Sequence, residues 1–152
     1  MLCVGLCAAL PRSLAGALDG TEHFMYIRFV VSERHKSSDH ARGLFSELYA
    51  LERRGELAPY ELEWFRTTEN WFNLHLRSPD RLAWSTRPNA PERAITWLKA
   101  SATDHISKMR ELVALLEHKA VAVEELHSER PGYVVYEDEH QVAAMPFENE
   151  TF

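Results

Sequence analysis

An α+β domain is the fold class this sequence predicts: three helices packed on a four-stranded sheet with a C-terminal antiparallel meander. Three observations lead there. A β-branched and aromatic run opens the patterned part of the chain, stretches with helical period occupy its middle, and short alternating runs close it. At 152 residues the chain fits one domain, here residues 25–152.

Residues 1–24 stand apart. Met1 to Leu10 is apolar and is followed by Pro11-Arg12, but no cation precedes it, so the positive region of a signal peptide is missing. Ten residues are too few to span a bilayer. Met25 is a second candidate start, and the strand signal begins there. The segment reads as an upstream mis-start, then as a weak export signal, then as a loosely packed arm, and the chain as cytoplasmic. Cys3 and Cys7 have no further Cys with which to complete a zinc set.

Met25 to Val31 (MYIRFVV) has the composition and length of one strand. Ser37-Ser38-Asp39 offers N-cap oxygens, and Asp39 to Arg54 reads as a helix with Ala41, Leu44, Leu48 and Leu51 in its stripe. Gly55 closes it. Pro59 suits a first helical turn, so a second helix runs from Pro59 to Leu76. It has two faces, one of Leu62, Phe65, Glu69, Phe72 and Leu76, the other of Trp64, Thr68, Trp71 and His75. A helix apolar over so wide an arc is expected to be sandwiched between other elements.

Ser78 to Pro91 reads as a loop, and Pro91 to Lys119 as the longest helix, with Ile95, Leu98, Ala102, Ile106, Met109, Val113 and Leu116 in one stripe. From Val121 the period changes. Runs at 121–127, 133–137 and 141–147 read as strands, joined by turn chemistry at Arg130-Pro131-Gly132 and Asp138-Glu139-His140. Short connections mean neighbours, hence the expected meander. Gly132 follows Pro131 where a type II turn needs positive φ.

The carrying segments MYIRFVV (25–31), AITWLKASATDHISKMREL (94–112) and RPGYVVYEDEHQVAAMPF (130–147) resemble a group of small bacterial proteins with no established activity. The resemblance covers most of the chain after Met25. It implies a bacterial origin and a natural start at Met25, and it supplies no catalytic residue.

Charge narrows the function classes. Residues 120–152 hold eight acids and one base, so the formal net charge of −6 sits in the C-terminal fifth. An acidic domain is poorly suited to sequence-blind binding of phosphate backbones. The acidic stretch reads first as a solvated edge, and second as a surface for a basic partner.

Glu69 lies within an apolar stripe, where a carboxylate is either paired or raised in pKa. It reads as a structural anchor for a neighbouring Arg or His, or as a general base. His105 borders the stripe of the long helix, with Trp97, Ser101, Asp104 and Lys108 beside it. An acid–base role for His105, with Lys108 holding an anion, competes with a histidine that satisfies a backbone carbonyl. Arg77, Arg81, Arg87 and Arg93 surround Trp84 in the one locally basic region, an arrangement that can hold an anionic ligand.

The eight histidines show no HxH or HExxH spacing, so no metal is expected. Neither a nucleophile elbow, a P-loop nor a dinucleotide fingerprint is present, so no cofactor is expected either. Two functions remain. The first is a non-catalytic protein-interaction module, for which Trp64, Trp71, Trp84 and Trp97 supply interface aromatics. The second is a small metal-independent enzyme acting on a phosphorylated or nucleic-acid substrate through His105, Glu69, Lys108 and the loop arginines. An enzyme requires those groups to converge on one pocket, whereas a module leaves them apart and exposes an apolar patch.

Overall fold

A computed structural model describes residues 25–32, 43–79 and 86–148. The expectations placed on residues 1–24, on Ser37-Ser38-Asp39, and on Arg81 and Trp84 lie outside the described residues.

The elements run β1 (Tyr26–Val31), α1 (Leu44–Arg53), α2 (Pro59–His75), α3 (Ala90–Arg93), β2 (Ile95–Lys99), α4 (Thr103–His118), β3 (Val123–Ser128), β4 (Tyr133–Glu137) and β5 (Gln141–Met145). They form an α+β chain with a five-stranded sheet in the order β3-β1-β2-β5-β4, every pairing antiparallel.

Local chemistry sets several boundaries as expected. Gly55 ends α1 with φ +70, and the amide of Glu56 reaches back to the carbonyl of Leu51 at 3.0 Å. Pro59 opens α2, and the Glu61 side chain accepts from the backbone N–H of Ala58 at 2.8 Å. Asp138 makes the β4–β5 turn by accepting from the amides of His140 and Gln141.

The long third helix is corrected. Its first part is the strand β2, and only Thr103–His118 is helical. Ile95, Trp97 and Leu98 are all buried, so β2 presents apolar side chains to both faces. A strand buried on both sides has no alternation to betray it, and its apolar residues happened to continue the stripe of α4. The β-branched and aromatic Ile95-Thr96-Trp97 was the competing signal.

The meander is corrected too. β3 pairs with β1 from Tyr26↔Ser128 to Val31↔Val123, while β4 pairs with β5. The first and second of the three expected meander strands are therefore opposite edges of the sheet. In a flat sheet, four strand spacings plus the offset along the strands would put Ser128 roughly 25 Å from Tyr133. Five residues reach only about 17 Å. The sheet must roll, and it rolls around the face bearing Tyr26, Ile95, Trp97, Leu126 and Val142, which pack as one cluster. Arg130, just after β3, lies over the ring of Phe147, just after β5, at 5.5 Å.

Gly132 has φ +137, but not as part of a hairpin turn. A Cβ there would stand 2.1 Å from the carbonyl oxygen of Met145. In β4 the register shifts between Val134 and Tyr136, and Tyr136 is the buried residue.

The other face of the sheet carries the main core. Ile27, Phe29 and Leu98 meet Leu44, Leu48, Phe65, Phe72, Leu112 and Leu116 from the helices. Phe45 packs on Phe72 and Tyr49 on Phe65, so α1 and α2 run antiparallel. Glu61 meets Lys119 at one end of α2 and His75 meets His105 at the other, so α2 and α4 are antiparallel as well.

Candidate functional site

His105 sits in the first turn of α4 and is 4% exposed. Its Nε2 lies 2.9 Å from the carbonyl oxygen of His75. A carbonyl only accepts, so Nε2 carries a proton, and the tautomer this selects has its lone pair on Nδ1. Trp71 meets the imidazole edge-on at 5.0 Å, and His140 lies against it at 4.4 Å. His75 stacks on Trp71 and donates from Nδ1 to that residue's carbonyl at 2.8 Å. A cleft of about 190 Å³ opens here, lined by the three histidines, Trp71, Ser101 and Asp104 among others.

Asp138 fixes the strand turn that carries His140. Burial pushes its carboxyl up, but hydrogen bonds from the Gln141 side chain, the His140 amide, the Tyr136 hydroxyl and the Gln141 amide together hold it below the usual range. Gln141 also donates to the carbonyl of Arg77, tying the chain after α2 to the sheet.

Glu69 is elsewhere. It is half-buried between α1 and α2, where the Tyr49 hydroxyl donates to it and Arg66 bonds it at 2.7 Å. Arg66 also bonds Glu52 of α1 at 2.6 and 2.7 Å. Tyr49 and Arg66 hold the Glu69 carboxyl below its ordinary pKa, against some desolvation. This is a carboxylate kept charged as a helix–helix tie. Lys108 pairs with Glu111 one turn along α4 at 3.3 Å. Neither Glu69 nor Lys108 lines the histidine cleft.

Of the loop arginines, Arg77 gives its backbone carbonyl to Gln141, and Arg87 lies over the Tyr133 ring at 4.1 Å. Arg93 ends α3 and is exposed. The acidic strands find other cations: Lys99 binds Glu137 at 2.6 Å and Arg110 binds Glu125 at 3.0 Å. Among the described residues there is no group of three or more His, Cys, Asp or Glu that could hold a metal ion. No helix among them is long and apolar enough to cross a membrane.

A larger cavity, about 410 Å³, lies between β1, β2 and the helices. Phe29, Phe45, Phe72, Leu98 and Met109 are in its wall, with Gly43, Ser46 and Thr96 also lining it. It takes six separate elements to build, and no spacing in the sequence announces it.

The outer arc of α2 is legible in the sequence only in part: Trp64 and Trp71 fall on one face with Thr68 and His75 and read as interface aromatics, but Tyr60, Thr67 and Leu74 are missed. Phe65 and Phe72 point to the sheet and α1, and Glu61 and His75 to α4. Tyr60, Trp64, Thr67, Trp71 and Leu74 follow one another at steps of four, three, four and three, so they share the remaining face. Tyr60 is 69% exposed, Leu74 73% and Trp64 36%, while Trp71 is half-buried. The expected sandwiching of α2 therefore holds for one side only. Trp97, by contrast, is a core residue at 1%. No family model, curated protein or solved structure matches the chain.

Proposed function

We propose that the chain is a non-catalytic protein-interaction module whose docking face is the outer arc of α2. One observation carries this reading: Tyr60, Trp64 and Leu74 are exposed on a single helical stripe although the core could not use them. Exposed aromatics in a row mark interfaces rather than solvated faces. The dispersal of His105, Glu69 and Arg87 over separate parts of the fold supports the same reading, because a catalytic group needs its partners within reach.

The four-three spacing suits a second helix, and the partner with a matching stripe is α2 of a second copy. Thr67, the smallest of the five side chains, is central. In an antiparallel pair about Thr67, Tyr60 meets Leu74 and Trp64 meets Trp71. Only one helix of each copy takes part, so the pairing is transient. Sedimentation velocity up to about 200 μM, a range suited to weak association, is expected to show reversible dimers. The Tyr60→Ser, Leu74→Ser double variant is expected to stay monomeric. A wild-type monomer throughout, or a dimer indifferent to both changes, contradicts the proposal.

A second reading has one observation in its favour. His105 is held by its Nε2 proton at a polar cleft, as a general base would be. It would make the chain a metal-independent enzyme on a phosphorylated or nucleic-acid substrate. Turnover of an aryl phosphate or an oligonucleotide, lost in His105→Ala and retained in Glu69→Gln, would favour it.

A further inference from the structure

Independently of the α2 face, we infer that the cavity between β1, β2 and the helices is a binding site for a neutral, largely apolar small molecule. The cavity is open on one side, and its volume of about 410 Å³ is of ligand size. Its apolar wall is firmly placed: Phe29, Leu44, Phe72 and Leu98 are all core residues.

Gly43 shows that the space is not forced by the backbone. Its φ of −74 and ψ of 161 are open to any residue, and a Cβ built on it meets no atom within 4 Å. A larger side chain fits there, and the sequence carries none. Glycine at this position leaves the cavity open where a leucine would occupy part of it.

The chemistry of the lining sets the class of ligand. Phenyl rings and aliphatic chains from β1, α1, α2, β2 and α4 supply most of the surface. Among the described residues the polar members are Ser46 and Thr96 and one charge of each sign, Arg28 and Glu92. Cation and anion balance among the described residues, so these favour a neutral ligand over an ionised one. Ser46 and Thr96 are exposed and mark the mouth, where a single hydroxyl or carbonyl of the ligand can be met.

N-phenyl-1-naphthylamine, a neutral fluorophore, tests this in the full-length chain. Titration is expected to give saturable enhancement with one site per chain. Gly43→Leu is expected to weaken binding by about tenfold or more, equivalent to about 1.4 kcal/mol, without lowering the melting temperature. Thr96→Phe, at the exposed mouth, serves as the second blocking variant and is expected to weaken binding likewise. Leu74→Ser is expected to leave binding unchanged. Unsaturable enhancement, or wild-type affinity in folded Gly43→Leu and Thr96→Phe, overturns the inference. Loss of binding in Leu74→Ser overturns it too, by assigning the probe to α2.

Discussion

The two arcs of α2 have nearly the same chemistry and opposite fates. The inner arc buries Glu61, Phe65, Thr68 and Phe72 against α1, α4 and the sheet. The outer arc leaves Tyr60, Trp64 and Leu74 in solvent. Composition does not separate them, since the outer arc carries two tryptophans and the inner arc a glutamate. The inner glutamate is accommodated because Lys119 meets it at 2.5 Å and the Ala58 N–H caps it. The outer aromatics have no such resolution among the described residues. Burial is decided by which neighbours the topology brings, and among the described residues it brings none that cover Tyr60, Trp64 and Leu74 of the outer arc.

The largest expected effect lies on the inner arc. Phe65 is fully buried among Phe45, Tyr49 and the core leucines. Phe65→Ala is expected to cost about 3–5 kcal/mol in urea unfolding, through lost transfer energy and the cavity left behind. A cost below about 1 kcal/mol would mean that the two arcs are not energetically distinct.

Acid titration sharpens the contrast next. The Lys119 ammonium, helped by the Ala58 N–H, holds the Glu61 carboxyl below its ordinary pKa. A depressed folded pKa adds stability that is present above the unfolded value and lost as pH falls through the folded one. Melting temperature is therefore expected to drop below about pH 4, with Glu69, Glu125 and Asp138 contributing in the same sense. Glu61→Gln is expected to lower stability at neutral pH and to flatten the acid limb. Parallel acid limbs in variant and wild type would show that Glu61 is not anchored as described.

Glu69 lies at the border of the inner arc, and Glu69→Ala is expected to cost about 1 kcal/mol, because its partners are partly in water. A neutral result would show that Tyr49 and Arg66 find water equally good. The smallest effect belongs to the outer arc. Leu74→Ser is expected to change stability by no more than about 0.5 kcal/mol. A larger loss would mean that Leu74 supports the fold rather than a contact outside it.

The sequence made much of this arrangement legible. Gly55 and Pro59 bounded the first two helices because capping is a local matter. The strand β1 and the β4–β5 turn were equally local. β2 was hidden, since Ile95, Trp97 and Leu98 face both sides of the sheet and mimic a helical stripe. The β1–β3 ladder joins residues about a hundred positions apart, and a four-residue link from β3 to β4 looked like a hairpin. Gly132 was expected at positive φ, and it is there because it passes over the Met145 carbonyl rather than because it turns.

Site residues divided along the same line. His105 was recognisable as a histidine at the core edge bonded to a carbonyl, because its place on α4 is local. Glu69 was recognisable as a paired carboxylate, although its cation comes from its own helix and its hydroxyl from α1. The convergence of His105, Glu69 and Lys108 depended on the relative placement of α2 and α4, which spacing does not contain. Tyr60 and Leu74 were overlooked because an apolar residue in a helix is ordinarily credited to the core.

Disulfide trapping at Thr67 tests the outer arc most directly. The proposed antiparallel pairing of α2 would bring Thr67 onto its own copy, and the residue is exposed in the single chain. With Cys3 and Cys7 replaced by serine, Thr67→Cys is expected to form an intermolecular disulfide under mild oxidation. Ala114→Cys, on the exposed side of α4, is expected to form little. The trapped dimer should be suppressed when Tyr60→Ser and Leu74→Ser are added. Equal trapping at Thr67 and Ala114, or trapping that survives those two changes, would contradict the assignment of the outer arc of α2 as an interface.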